Sequence, residues 1–266
     1  MRSVVWGELT GEDLANLRAE DPLVIVPLGC TEQHGLHLPT DTDTYQVERL
    51  AVEGARAAAV RHGIAVVVLP TLPYGPTAEH VGLIGAIDLP SEVYVAVIKS
   101  IVRSVIDNGF CRIGVLSGCG GHWVVPGALW DLKADAHRRG QRVTLHLLKV
   151  DADWRNLQEQ HFHGAAGGHA GAMETALCLA GRPHLVREDR MFPPALDRFK
   201  ARYLEGGEVF LFTEVSDTGA LGDPTAATAE GGAAIWADSI NAFADRLHLI
   251  DRLDRGECVG AMEGEQ

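Results

Sequence analysis

The chain has 266 residues, of which 46% are hydrophobic, and a formal net charge of -13 at pH 7. This length and apolar content suit one sizeable core, so we expect a single domain over residues 1–266. The acidic balance argues against nucleic-acid and membrane-surface partners, because both attract basic faces. We recognise no signal peptide and no apolar segment near the roughly 20 residues that span a bilayer, and therefore expect a cytoplasmic protein.

Apolar runs of strand length alternate with helical patterns along the chain. The predicted strands lie at 23–28, 64–69, 112–116 and 143–149, with a weaker one at 209–213. The predicted helices lie at 44–62, 91–108, 126–139, 173–180 and 228–247. Asp43 or Thr44 is a natural N-cap for the first helix, and Gly63 a natural residue to end it. The alternation predicts an α/β fold, with a mostly parallel central sheet and helices on both faces.

The polar clusters of the sequence follow the predicted strands. They fall in the loops 27–43, 70–90, 117–125 and 151–171. Functional sites in open α/β sheets collect at the carboxyl ends of the strands. We therefore expect these loops to form a single composite site.

The first of these loops carries a set of candidate metal ligands. Glu32 and His34 are separated by one residue, so an extended backbone points both side chains to the same side. Asp43 is either the helix cap or a carboxylate that bridges two metal ions. His37 and Asp41 are predicted to orient the ligands or to face solvent.

The glycine-rich loop after the third strand reads Ser117-Gly-Cys119-Gly-Gly-His122. Its glycines allow close approach of the backbone to a bound group. Cys119 and His122 are candidate metal ligands. Two alternatives stay open: Cys119 as a nucleophile with a histidine base, or a buried structural cysteine beside an ordinary loop histidine.

The remaining candidates lie in the second loop, in the fourth loop and at the start of the helix that follows it. Glu174 is predicted in the first turn of a helix, where the helix dipole favours a carboxylate. His169 opens the same helix in a Gly-His-Ala-Gly sequence, which favours catalytic or ligand duty. Thr77 and His80, from a rigid proline-containing turn, and His163 are predicted to contact substrate. The chain has no GxGxxG, Walker lysine, HExxH or GxSxG motif, which argues against nucleotide binding and serine-hydrolase chemistry.

These motifs together resemble a known family. The stretch Pro27-x-Gly-x-x-Glu-Gln-His-Gly-x-His-Leu-Pro-x-x-Thr-Asp43 resembles the signature of the creatininase (creatinine amidohydrolase) family. The resemblance continues through Glu79-His80, the glycine-rich loop, His169-Ala-Gly-x-x-Glu174 and Gly222-Asp-Pro, and spans about 27 to 235. It implies a creatininase-like α/β fold, two divalent metal ions per chain and a homo-oligomer, often a hexamer. Zinc is the first expectation for the metal, with manganese or iron as alternatives.

By position, the resemblance also implies roles for individual residues. Glu32 and His34 would bind different metals, and Asp43 would bridge them. Glu174 would be a ligand of the second metal and take part in the catalytic site. His169 would handle protons at the substrate.

The glycine-rich loop departs from the family pattern Asn-Gly-His-Gly-Gly-Asn, in which the histidine binds a metal. Cys119 stands at the place of that histidine, and His122 follows three residues later. Either Cys119 ligates as a thiolate, which favours zinc, or His122 reaches the metal, or one metal position is lost. Cys30 stands where serine is common, so a second thiol is expected close by.

The resemblance implies a metal-dependent hydrolase in which a metal-activated water attacks a carbonyl. An amide or cyclic amide is the first expectation for the substrate. One alternative is a ring-opening hydrolase that cleaves a carbon–carbon bond of a cyclic sugar-derived diketone, an oxidised inosose. A further alternative is a non-catalytic protein that binds a metal or a small ligand.

Overall fold

The centre of the fold is a parallel β-sheet. The computed structural model describes residues 2–149, 157, 160–162 and 168–256. Within this part of the chain the strands are β1 (Leu23–Leu28), β2 (Val66–Val68), β3 (Arg112–Ser117) and β4 (Thr144–Lys149). They form one four-stranded sheet in the order β2-β1-β3-β4, and every neighbouring pair is parallel. The predicted parallel sheet is confirmed.

Helices cover both faces of this sheet. The longer ones are α1 (Gly11–Arg18), α2 (Thr42–His62), α3 (Ser91–Asp107), α4 (Val125–Arg138), α5 (Ala172–Gly181) and α6 (Ala229–Asp254). One core cluster packs α2, α5 and α6 on Leu23 and Ile25, and the other packs α1, α3 and α4 on Val24 and Val26. Successive residues of β1 thus face opposite cores, as expected for a strand buried on both sides. None of the helices in the described ranges is long and apolar enough to cross a membrane.

Two local predictions differ from the structure, and one helix was missed. The run 209–213 is not a strand: Val209 is 96% exposed, and Phe212–Val215 forms a short helical turn. Among the described residues this apolar run has no neighbouring strand to pair with, so its alternating pattern alone does not make it a strand. Asp43 is not the N-cap of α2, because the helix begins at Thr42 and Asp43 lies in the first turn. Helix α1 was not predicted.

The strand order places a crevice between β1 and β3. After β1 the chain crosses to β2 on one side, and after β3 it crosses to β4 on the other side. The loops leaving β1 and β3 therefore diverge, which is the arrangement in which open α/β sheets bind ligands. The N–H of Gly118 donates to the carbonyl of Leu28 at 2.9 Å. A Cβ on Gly118 would lie 2.6 Å from the Val47 side chain, so only glycine lets this loop pack closely on α2.

Replacing either of two helix glycines by alanine should change the stability in opposite directions. Gly63 ends α2 at a φ of 66°, whereas Gly127 lies inside α4 with open space around it. We expect Gly63→Ala to lower the free energy of unfolding by about 1 kcal/mol, because an L side chain is strained at positive φ. Gly127→Ala should raise it by about 0.5–1 kcal/mol through helix propensity. Urea titration followed by circular dichroism measures both, and changes of the same sign would contradict this assignment.

Candidate metal centre

Nitrogen, oxygen and sulfur donors converge where the loops after β1 and β3 meet the first turns of α2 and α5. The side chains form overlapping groups whose donor atoms lie within 4.8 Å of one another: Cys30, Glu32, His34, Asp43, Cys119, His122, His169 and Glu174. Cys119, His169 and Glu174 are partly exposed, and the others are buried. The structure thus brings together every predicted metal ligand and the predicted catalytic histidine.

The first group joins His34 to two carboxylates. The Nε2 atom of His34 lies 3.2 Å from Asp43 Oδ1 and 3.9 Å from Glu174 Oε2. Its Nδ1 atom lies 3.2 Å from the carbonyl of Glu32, which can only accept, so Nδ1 carries a proton and Nε2 faces the carboxylates. Burial opposes the charged imidazolium, but Asp43 and Glu174 outweigh it and raise the pKa of His34 to about 9. The arrangement favours a cation, either a proton or a metal ion, at Nε2.

The second group joins Glu32 and Asp43 to the thiols of Cys30 and Cys119. Cys119 Sγ lies 3.4 Å from Glu32 Oε2. Burial, and then the charge of Asp43, raise the pKa of Glu32 well above its usual value. Asp43 Oδ2 is buried without a hydrogen-bond partner in the described part of the chain. Repelling buried carboxylates and an unpaired carboxylate oxygen fit a divalent cation, and Asp43 belongs to both groups.

The glycine-rich loop supplies the third group. His122 Nε2 lies 3.3 Å from Cys30 Sγ, and its Nδ1 lies 3.1 Å from Ser117 Oγ. Burial lowers the pKa of His122 to about 4, so the ring is neutral and can act as a donor. The pKa of Cys119 is raised well above its usual value by a hydrogen bond with Cys30, by burial and by Glu32. A thiol in this state is a poor nucleophile, which argues against Cys119 attacking a substrate on its own.

His169 stands beside Glu32 at the rim of these groups. Its Nε2 lies 2.6 Å from the carbonyl of Gln33, and its Nδ1 lies 3.3 Å from Glu32 Oε1. The carbonyl can only accept, so the proton sits on Nε2 and Nδ1 has a free lone pair. Burial and the charges of His34 and His80 lower the pKa of His169 well below its usual value. The lone pair can take up a proton or, together with Glu32 and His34, bind a metal.

The loop that carries His169 is held by the Gly222 motif. The N–H groups of Leu221 and Gly222 both donate to the carbonyl of His169, at 2.9 and 3.0 Å. A Cβ on Gly222 would lie 2.5 Å from the Cα of Gly171, so glycine is required there. Ala170 has a φ of 55°, and its N–H donates to Glu174 Oε2 at 2.7 Å. Strained backbone of this kind is common where a site fixes a side chain.

The predicted substrate contacts fall into two sets. His80 enters the site: its Nε2 lies 3.4 Å from His169 Nε2, and its buried Nδ1 has no hydrogen-bond partner among the described residues. The Thr77 hydroxyl is also buried and unpaired in that part of the chain, while the Thr77 N–H binds Asp88. His163 lies outside the described residues, so its predicted contact stays a prediction.

His37 and Asp41 tie the first loop to the helix that carries Glu174. His37 Nε2 lies 2.8 Å from the hydroxyl of Thr175, next to Glu174. Asp41 accepts two hydrogen bonds from Arg182, at 2.7 and 2.9 Å. Both residues therefore support the loop and lie outside the donor groups.

Two parts of the site had no assigned role in the sequence. Cys30 was expected near the site but not as a donor, although Cys30, Glu32 and His34 recur with the two-residue spacing of an extended chain. Phe212 packs on the rings of His80 and His169, with centroids 4.3 and 5.1 Å apart. Its stretch was predicted as a strand, and no pattern placed it near the histidines.

Comparisons with known proteins find relatives that match much of this chain. A mycofactocin precursor peptide peptidase from Mycobacterium ulcerans (strain Agy99) is 32% identical over 262 residues, 92% of this chain and 92% of that protein. A creatinine amidohydrolase from Pseudomonas putida is 28% identical over 210 residues, 73% of this chain and 78% of that protein. A 3-dehydro-scyllo-inosose hydrolase from Thermotoga maritima is 25% identical over 194 residues, 70% of this chain and 58% of that protein.

Solved structures show the same fold. A mutant creatininase of Zn-Zn type superposes with a TM-score of 0.78 at 23% identity, covering 94% of this chain and 98% of its own. A Mn creatininase superposes with a TM-score of 0.74 at 22% identity, covering 93% and 98%. The Creatininase family, described as creatinine amidohydrolase, matches residues 7–247. The chain therefore belongs to the creatininase family and is a hydrolase.

Proposed function

We propose that this hydrolase depends on two divalent metal ions and cleaves an amide bond. The position of Asp43 carries the proposal. Asp43 lies in one donor group with Glu32 and Cys119, and in another with His34 and Glu174. A carboxylate shared in this way is suited to hold two cations a few ångströms apart. Zinc fits the thiol of Cys119, and the Zn-Zn and Mn forms of solved creatininases support the same class of metal.

Bound divalent cations supply an acidified water molecule and polarise the substrate carbonyl. The protein supplies the rest. His169 Nδ1, free because Nε2 is held on Gln33, would take the proton that the attacking water loses and pass it to the leaving nitrogen. Its depressed pKa makes the protonated ring a strong acid. His80 and Phe212 enclose the ring of His169 and limit access of bulk water.

A peptide amide is the leading substrate class, with a cyclic amide next. The support is the peptide peptidase relative, which is 32% identical along nearly the whole of both chains. The buried hydroxyl of Thr77 and Nδ1 of His80 are polar groups suited to contact a substrate amide. The inosose hydrolase relative supports the second candidate, hydrolysis of a carbon–carbon bond in a cyclic diketone. The homo-oligomer and the cytoplasmic location stay predictions.

The first test is the thermal response to metal. Zinc or manganese added to chelator-treated protein should raise the melting temperature. At a hundredfold excess of metal over Kd, binding adds about 2.7 kcal/mol to the free energy of unfolding. Asp43→Asn should lose most of this rise, because Asp43 belongs to two donor groups. Without metal the same variant loses the repulsion of Glu32 but also the ion pair with His34, so its melting temperature should stay close to that of wild type. Differential scanning fluorimetry measures both states.

Asp41→Asn is the matched control, because Asp41 lies on the same loop but binds Arg182. It should keep the full response to metal. A full metal response in Asp43→Asn would show that Asp43 holds no cation and would overturn the proposed centre.

The second test concerns His169. We expect His169→Gln to lower kcat on a peptide amide by about 10²–10⁴-fold, because the proton carrier is lost. Its metal content, measured by inductively coupled plasma mass spectrometry, should equal that of wild type. His248→Gln is the control and should retain kcat. His248 lies on α6 and stacks on His62, at the end of α2 far from the metal centre. A loss of metal in His169→Gln would make His169 a ligand and contradict its role as a proton carrier.

The third test separates the two reaction classes. Wild-type protein loaded with zinc or manganese is assayed on short peptides, lactams, N-formyl amines and a cyclic 1,3-diketone. Turnover of the amide set without turnover of the diketone is expected. The reverse pattern would replace amide hydrolysis by carbon–carbon bond hydrolysis.

A further inference from the structure

We propose that Cys30, Cys119 and His122 together form a thiolate position that binds one soft divalent ion, zinc in the first place. The proposal rests on the metal dependence proposed above and adds Cys30 as a ligand. It assigns Cys119 and His122 to the same ion, although the family pattern has a single histidine in this loop.

The geometry of the three donors matches a zinc site. Their donor atoms lie within 4.8 Å of one another, and Cys30 Sγ lies 3.3 Å from His122 Nε2. Zinc bonds of about 2.3 Å to sulfur and 2.0–2.1 Å to nitrogen place tetrahedral donors roughly 3.6 Å apart. Small side-chain shifts suffice to bring these atoms onto one ion.

The surroundings orient the donors. The hydroxyl of Ser117 lies 3.1 Å from His122 Nδ1 and can accept a hydrogen bond from it. The lone pair of Nε2 then points toward Cys30. Outer contacts of this kind are typical of histidines that bind metals. The N–H of Gly121 donates to Cys119 Sγ at 3.3 Å, a contact that stabilises a thiolate.

Space for the ion is left by the backbone of Gly75. A Cβ on Gly75 would lie 2.7 Å from Cys30 Sγ and 2.9 Å from His122 Nε2. Any larger residue would therefore fill the region between the two donors. Gly75 lies in the proline-bounded segment 73–76, where its carbonyl accepts from the N–H of Leu89 at 3.0 Å.

Charge also favours a soft cation at this position. Cys30 and His122 are buried, and Cys119 is partly buried. Two thiolates neutralise the charge of one divalent ion, so the ion and its ligands together carry little net charge into the interior. Glu32 Oε2, 3.4 Å from Cys119 Sγ, is the adjacent carboxylate and links this position to the group that contains Asp43. Sulfur donors select zinc, cadmium or cobalt over manganese.

The test is cobalt absorption. Co²⁺ added to chelator-treated full-length protein should give a sulfur-to-cobalt charge-transfer band with the intensity of two thiolates. Cys30→Ser and Cys119→Ser should each halve that band. Cys111→Ser, at an exposed cysteine at the other end of β3, should leave it unchanged. Circular dichroism confirms that each variant is folded.

Two further measurements keep the result independent of folding defects. His122→Ala and Gly75→Ala should keep both thiols but weaken Co²⁺ binding at least tenfold. Zinc, but not manganese, should protect Cys30 and Cys119 of wild-type protein from iodoacetamide, as read by peptide mass spectrometry.

The opposite results are equally clear. No thiolate band, or a band that Cys30→Ser leaves intact, would overturn the proposal. If Asp43→Asn still abolishes the thermal response to metal in that case, the proposed hydrolase centre stands without the thiolate position. A thiolate band of the expected intensity without turnover of any carbonyl substrate would instead retain this inference and remove the proposed function.

Discussion

The structure depends on one electrostatic constraint, the burial of Glu32 and Asp43 side by side at the end of β1. Glu32 is 2% exposed and Asp43 4% exposed, and burial together with the charge of Asp43 opposes the ionisation of Glu32. Two carboxylates in this state require a neighbouring positive charge, because isolated buried anions are strongly unfavourable. His34 meets part of that requirement, which is why its pKa is raised to about 9. A divalent cation meets it more completely.

The fold delivers these groups from distant parts of the chain. Helix α2 starts directly after the first loop, so Asp43 arrives in its first turn, and α5 does the same for Glu174. The crevice between β1 and β3 then brings the glycine-rich loop against them. Glycine at 118 leaves room for the side chain of Val47 on α2, and glycine at 222 allows close approach to the backbone of Gly171. Both contacts fix loops that carry donors. The packing of the loops therefore explains the glycines of these sequence motifs, and ligand chemistry explains the donor residues.

The sequence predicted the elements whose signal is local. Strands buried on both faces and amphipathic helices have patterns of their own, and the spacing of Glu32 and His34 predicted that they act together. Contacts across the crevice have no such local signal. The approach of His122 to Cys30 depends on how β1 and β3 pair, with Leu28 opposite Ser117. The packing of Phe212 on His169 likewise depends on where a distant segment returns to the sheet.

A cysteine at position 119, where the resembling family pattern has a histidine, changes the chemistry expected of the proposed centre. A neutral imidazole adds no charge to a metal position, whereas a thiolate adds a full negative charge beside Glu32. Thiolates also donate more electron density, so an ion held by Cys30 and Cys119 would polarise a carbonyl less strongly than one held by oxygen and nitrogen. The group formed by His34, Asp43 and Glu174 keeps the harder donors. In the proposed centre, polarisation of the substrate therefore falls mainly to that second position, and the thiolate position mainly holds the loops and Asp43 in place.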